Sequence, residues 1–243
     1  MKKILFMLGL LSVFLTNAQG AYETGKIIDS ISVPKTDGET FALYLPESFD
    51  ARSLNSIVII FEPVGRGKLG IQVFVEASKT HGHILVCSNS IKNGPYESNF
   101  AMTEGLMNHI FTEFNIDENQ IYLAGFSGGS RLASAIATLT NIPAGVIACG
   151  AGFSGSHSPS TQKFEYVGIC GNKDMNFMEM VSVRKYLEKL KFSNTLITFD
   201  GDHRWPPQEH ILRAFDWLSI QAHKKGYIEI PKKAIGSSYE KNL

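Results

Sequence analysis

Residues 121–137, Ile-Tyr-Leu-Ala-Gly-Phe-Ser-Gly-Gly-Ser-Arg-Leu-Ala-Ser-Ala-Ile-Ala, leave few folds open to this chain. A short apolar run of strand type ends in a tight Gly-Phe-Ser-Gly-Gly turn and continues as an Ala-rich segment of helical character. A strand-turn-helix built on G-x-S-x-G holds its serine on a strained backbone that exposes the hydroxyl. Gly125 and Gly128 fit that reading, because bulky side chains beside such a turn would clash with the strand and helix it joins. The chain has 22 glycines, so the same pentapeptide also suits a plain turn with a solvated serine. The remaining residues decide between the two.

Residues 25–33 and 40–45 read as an opening antiparallel pair joined at 34–38, where Asp37-Gly38 signals a turn. Further strands are expected at 56–61, 83–88, 120–124, 144–149, 165–170 and 194–199. Helical stretches fill the intervals at 71–80, 99–114, 129–140, 177–190 and 208–223. Strands that are continuous apolar runs and alternate with helices imply a parallel sheet covered on both faces. The expected class is α/β, with a mostly parallel eight-stranded sheet. No repeat, linker or domain boundary interrupts the pattern, and no long insertion separates Gly150 from Glu165, so a large lid is not expected. From about residue 224 the chain turns polar and should carry little core of its own.

The first residues have another character. Met1-Lys2-Lys3 precedes an apolar run at 4–15 and then Thr-Asn-Ala-Gln. This matches a bacterial-type secretory signal peptide cut after Ala18, which implies a secreted or periplasmic protein with no stable membrane insertion after cleavage. The mature chain, 19–243, is then one domain. Basic and acidic residues number 23 each and form no long run of either sign, which argues against a nucleic-acid partner. Cys87, Cys149 and Cys170 all fall in apolar runs and suit core positions; a bridge between Cys149 and Cys170 would need unusual geometry across neighbouring parallel strands.

In α/β sheets the chemistry collects beyond the carboxyl ends of the strands. A serine nucleophile needs a base, and the base needs a carboxylate that fixes its tautomer. Of seven histidines, His81 and His83 precede a strand, and His109, His210 and His223 lie in helical stretches. His203 directly follows the last strand in a loop stiffened by Pro206 and Pro207. His157, in a Ser- and Pro-rich loop, is its rival. Asp174 follows the seventh strand, where it also suits a helix N-cap. For the oxyanion, Gly128 N–H is one expected donor. The loop after the third strand should supply the other, and since Pro63 has no N–H the choice moves to Val64, then Gly65.

With these residues in view, the chain resembles an α/β-hydrolase of the small secreted esterase kind, similar to the polyhydroxybutyrate depolymerase and feruloyl or acetylxylan esterase group. The resemblance spans nearly the whole mature chain and rests on residues 115–129, 171–174 and 203–206. It implies Ser127 as nucleophile, Asp174 as acid, His203 as base and the third-strand loop as part of the oxyanion hole, with no cofactor and no metal. The pattern departs at Glu62-Pro63, where many relatives carry His-Gly. The implied substrate is a small-molecule or polymer-attached ester. A serine peptidase of the same fold and an inactive binding protein are the alternatives. Arg66 could steer an acidic group, while Asn93, Tyr96 and Trp205 lie near strand ends and could line a pocket, as could Phe153 and Phe177.

Overall fold

The computed structural model describes residues 22–153 and 163–230. Its elements follow in the order β1 (Ile27–Ser32), β2 (Thr40–Tyr44), β3 (Asn55–Phe61), α1 (Gly67–His81), β4 (Ile84–Ser88), α2 (Tyr96–Glu113), β5 (Ile116–Phe126), α3 (Gly128–Leu139), β6 (Gly145–Cys149), β7 (Glu165–Gly171), α4 (Phe177–Lys189), β8 (Asn194–Phe199) and α5 (Gln208–Lys224). The strands form one sheet in the order β1-β2-β4-β3-β5-β6-β7-β8. β2 runs antiparallel to both of its neighbours, and every other adjacent pair is parallel.

The sequence of β3, Asn-Ser-Ile-Val-Ile-Ile-Phe, is buried at every position. Successive side chains of a strand point to opposite faces, so an unbroken apolar run requires cover on both. Ile57, Ile59 and Phe61 join the core that takes Leu106 of α2, Ile136 of α3 and Leu187 of α4. Val58 and Ile60 join the opposite core, with Phe74 of α1 and Phe215 of α5. The helices meet these faces through stripes at helical spacing, such as Ile211, Ala214, Phe215 and Leu218 in α5. Each such aliphatic or aromatic side chain removed from water contributes on the order of 1.5–3 kcal/mol.

All the expected elements are present, and the differences lie at their ends. β5 spans 11 residues rather than five, because Asn55 pairs with Ile116 before the register shifts and draws the polar stretch 117–120 onto the sheet. α1 starts at Gly67, four residues before its apolar stripe, and Asn89 Oδ1 accepts the Gly67 N–H (2.8 Å) that would otherwise lack a partner. Cys149 and Cys170 are free thiols. They face opposite sides of the sheet, one in each core, which rules out a bridge between them.

The start of the polar tail is anchored: Lys225 Nζ pairs with Glu165 Oε1 (2.7 Å) and the Tyr227 N–H donates to Ala222 O (3.0 Å). The leader expected at 1–18, His157, most of the segment 150–165 in which no large lid is expected, and residues 231–243 lie outside the described residues. Among the described residues no helix is long and apolar enough to cross a membrane. The carboxyl ends of β3 and β5 to β8 share one edge of the sheet, and the site lies there.

Candidate active site

Ser127 stands between β5 and α3 with φ 52° and ψ −118°, a conformation that non-glycine residues adopt at a cost of about 1–3 kcal/mol. The surroundings hold it there: its N–H donates to Cys149 O (2.9 Å), and its carbonyl accepts the Arg131 N–H (3.1 Å). Strand and helix cross closely enough that a Cβ on Gly125 would lie 2.7 Å from Ser130 N, and one on Gly129 would lie 2.8 Å from Phe61 C. The glycines around the serine are therefore required by packing.

Beyond β7 the chain turns at once, with the Asp174 N–H donating to Gly171 O (3.1 Å). The Asp174 side chain is 1% exposed. Its Oδ1 accepts the Asn176 N–H (2.8 Å), and the Asn176 side chain donates to Gly150 O (2.8 Å), tying this turn to the exit of β6. Asn176, not Asp174, holds the cap position of α4. Burial and the adjacent Asp174 carboxylate push the Cys170 thiol up to about 12, so it stays protonated beneath the site.

His203 reaches both partners. Its Nδ1 meets Asp174 Oδ2 at 2.8 Å and Oδ1 at 3.0 Å, and its Nε2 meets Ser127 Oγ at 2.9 Å. A carboxylate only accepts, so Nδ1 carries the proton and the Nε2 lone pair is directed at the serine hydroxyl. Phe126 lies against the imidazole, with ring centroids 4.7 Å apart. The other described histidines are elsewhere: His83 is buried against Ser56, His81 pairs with Asp216, His109 packs edge-on against Phe41, His210 lies against Phe199, and His223 meets Ile228 O.

The loop after β3 differs from expectation. The Val64 side chain points to solvent, and its N–H donates to Glu62 Oε2 (2.9 Å). The Gly65 N–H goes to Glu62 O (3.1 Å), and the Arg66 N–H goes to Glu62 Oε2 (3.0 Å). Val64 is thus not a free oxyanion donor, because the buried Glu62 carboxylate has gathered its amide together with that of Arg66. Burial alone would raise the Glu62 carboxyl, but the Arg66 guanidinium and the Arg66 and Val64 N–H groups offset this and hold it below the usual range. Arg66 forks onto Glu62 Oε1 (2.6 Å through Nη2, 3.2 Å through Nε), so its charge is committed within the loop rather than offered to a ligand.

A cavity of about 230 Å³ opens beside the elbow, lined by Pro63, Asn93, Tyr96, Gly128 and Arg131 among others. Asn93 and Tyr96 are thus placed as pocket residues. Trp205 is not among the cavity's lining: it packs behind the site on Phe126 (5.2 Å) and Phe74 (5.9 Å). Phe153 stacks on Tyr166 (5.2 Å), and Phe177 packs against the core. Sequence reasoning missed Arg131 and Glu179, whose bidentate pair (2.7 and 2.8 Å) also receives the Gly152 N–H and reaches Phe153 O, bracing the exit of β6. Asn176 was missed as well, although an Asn two residues after a candidate acid was a signal open to an Asx-turn reading.

No protein-family model matches the sequence, and no curated protein matches it. Solved structures do match. An S-formylglutathione hydrolase of Staphylococcus aureus superposes with a TM-score of 0.66 at 15% identity, over 79% of this chain and 96% of that one. The fluorophosphonate-binding serine hydrolase F of Staphylococcus aureus gives 0.65 at 14% identity, over 81% and 99%. A ferulic acid esterase gives 0.63 at 14% identity, over 80% and 97%. The chain has the α/β-hydrolase fold.

Proposed function

We propose that this protein is an exported serine hydrolase that cleaves carboxylic esters through an acyl-enzyme intermediate. The observation that carries the reading is the continuous line from Asp174 through His203 to Ser127 Oγ, with contacts of 2.8 and 2.9 Å, at the carboxyl edge of the sheet. The structural neighbours described as esterases and hydrolases support it, and the leader at 1–18 supports export.

Ser127 Oγ attacks the ester carbonyl as its proton passes to His203 Nε2. The new C–O bond forms while the carbonyl π pair moves onto oxygen. Asp174 keeps Nδ1–H in place and stabilises the imidazolium. Collapse expels the alcohol, which takes the proton from Nε2. Water, deprotonated by the same nitrogen, then releases the acid and restores the serine. The Gly128 N–H, at the start of α3, faces the developing oxyanion.

One observation favours a second reading. With the amides of Val64, Gly65 and Arg66 engaged by Glu62, the usual second donor is missing, as in a hydrolase fold that has become a binding protein. Labelling with a fluorophosphonate separates the two. The esterase reading expects covalent modification of the wild type and none of Ser127→Ala, together with turnover of p-nitrophenyl acyl esters. A wild type that labels no more than Ser127→Ala sinks it.

A further inference from the structure

Resting on the serine-hydrolase reading, the geometry points to the side-chain amide of Asn93 as the second oxyanion donor: we propose that Asn93 Nδ2–H acts beside Gly128 N–H, in place of an amide from the third-strand loop.

The amides of that loop beyond Glu62 are accounted for. Pro63 has no N–H, and the amides of Val64, Gly65 and Arg66 all go to Glu62. An oxyanion left with Gly128 alone would lose one of the paired donors that acyl transfer requires. Asn93 fills that place. Its amide lies directly against Gly128: a Cβ on that glycine would collide with Asn93 Oδ1 and stand 2.7 Å from Cγ and 3.1 Å from Nδ2. Its backbone is pinned to the loop it replaces, the Asn93 N–H donating to Pro63 O (2.8 Å). The cavity beside the elbow is lined by both Asn93 and Gly128.

The side-chain amide carries two N–H donors and one carbonyl acceptor, and a half-turn of the group exchanges Oδ1 and Nδ2. An oxyanion accepts and never donates, so its formation selects the turn that presents N–H. As the Ser127 Oγ–C bond forms and the π pair moves to oxygen, that oxygen gains two short hydrogen bonds, one from Gly128 N–H and one from Asn93 Nδ2–H. The ground-state carbonyl gains less, so the interaction acts on kcat more than on KM.

Two variants with two readouts test the assignment. Asn93→Ala removes the amide, while Asn93→Asp keeps its size and replaces the donor with an anion. Both should fold with near-wild-type melting, since residue 93 is exposed. Both should lose about 10²–10³-fold in kcat on p-nitrophenyl acetate, with KM held within about threefold. The inhibition constant of an aryl trifluoromethyl ketone, whose hemiketal oxygen mimics the oxyanion, should rise by about the same factor. A folded Asn93→Ala that keeps kcat and ketone affinity within about threefold overturns the role of Asn93 while leaving the esterase reading intact. So does an Asn93→Asp that works like the wild type, which would reduce Asn93 to a spacer. A wild type that neither labels nor turns over removes both proposals together.

Discussion

The Cα of Gly150 faces His203: a Cβ at this position would stand 3.3 Å from His203 Cε1, and also 3.2 Å from Asp174 Oδ2 and 2.9 Å from Phe126 Cε2. Gly150 has a φ of +67°, which a side chain resists even without neighbours. The residue that follows β6 therefore sets the depth at which His203 and Asp174 meet. Gly150→Ala is expected to fold, to lose about 1 kcal/mol of stability, and to lose at least about tenfold in kcat as the imidazole is displaced from Ser127. Parallel urea titrations and ester turnover check this; a variant with wild-type kcat would show that the contact is absorbed without moving His203.

Removing the charge on Asp174 while keeping its shape isolates its part in the site. Asp174→Asn presents an amide to His203 Nδ1, which favours the tautomer with its proton on Nε2, where it cannot accept from serine. Because Asn176 N–H and the buried turn remain, the fold should survive. The expected loss in kcat is about 10⁴-fold. Turnover of p-nitrophenyl acetate at saturating substrate measures it, and near-normal turnover would refute the assignment of Asp174 as the acid.

Ser127, Asp174 and His203 were legible in the sequence because each directly follows an apolar strand run, and strand order in a parallel sheet brings such positions to one edge. The two-faced core was equally legible, since runs such as Ile57 to Phe61 leave no polar face to expose. What escaped depends on where side chains turn after packing. Val64 reads as a free amide until Glu62 is buried and folds back onto it, and burial of a lone carboxylate is not an inference that spacing supports. Trp205 has the composition of a pocket residue, yet Phe126 and Phe74 offer it a wall behind the site. The polar start of β5 escaped for a simpler reason: residues 117–120 show no apolar pattern, and only pairing begun by Asn55 with Ile116 makes them strand.

Glu62 and Arg66 set the acid limit of the loop that walls the cavity. The Glu62 side chain is fully buried, and its carboxyl is held below the usual range in the folded protein. A carboxyl depressed on folding contributes stability that is present above its unfolded value, near 4.5, and is lost as pH falls through the folded value. Arg66→Met removes the guanidinium that, with the backbone N–H groups, offsets burial, so the acid limb of the stability curve should move to higher pH. At neutral pH the cost should be small, since the guanidinium is largely exposed. Denaturation followed across the acid range checks both statements; an unmoved acid limb would show that the backbone donors alone hold the charge.

A second pH dependence of the same sign lies at the opposite edge of the sheet from Ser127, where a base rather than an acid titrates. His83 is buried at the start of β4 against Ser56, Tyr122 and Phe215, with the His81 ring stacked beside it. Burial, and secondarily the neighbouring His81, lowers its value from 6.5 to about 3. Between those limits the unfolded chain binds a proton that the folded one refuses, so stability rises with pH across the window and falls on acidification. The slope is about 1.4 kcal/mol per pH unit, and from pH 6.5 to about pH 5 the expected loss is about 2 kcal/mol. Glu62 titrates lower and adds little there, which separates the two effects. His83→Asn should be less stable at neutral pH, through lost packing, yet flatter between about pH 5 and 6.5. Urea midpoints of wild type and variant at several pH values in that window measure the difference in slope, and equal slopes would show that the acid sensitivity comes from another group.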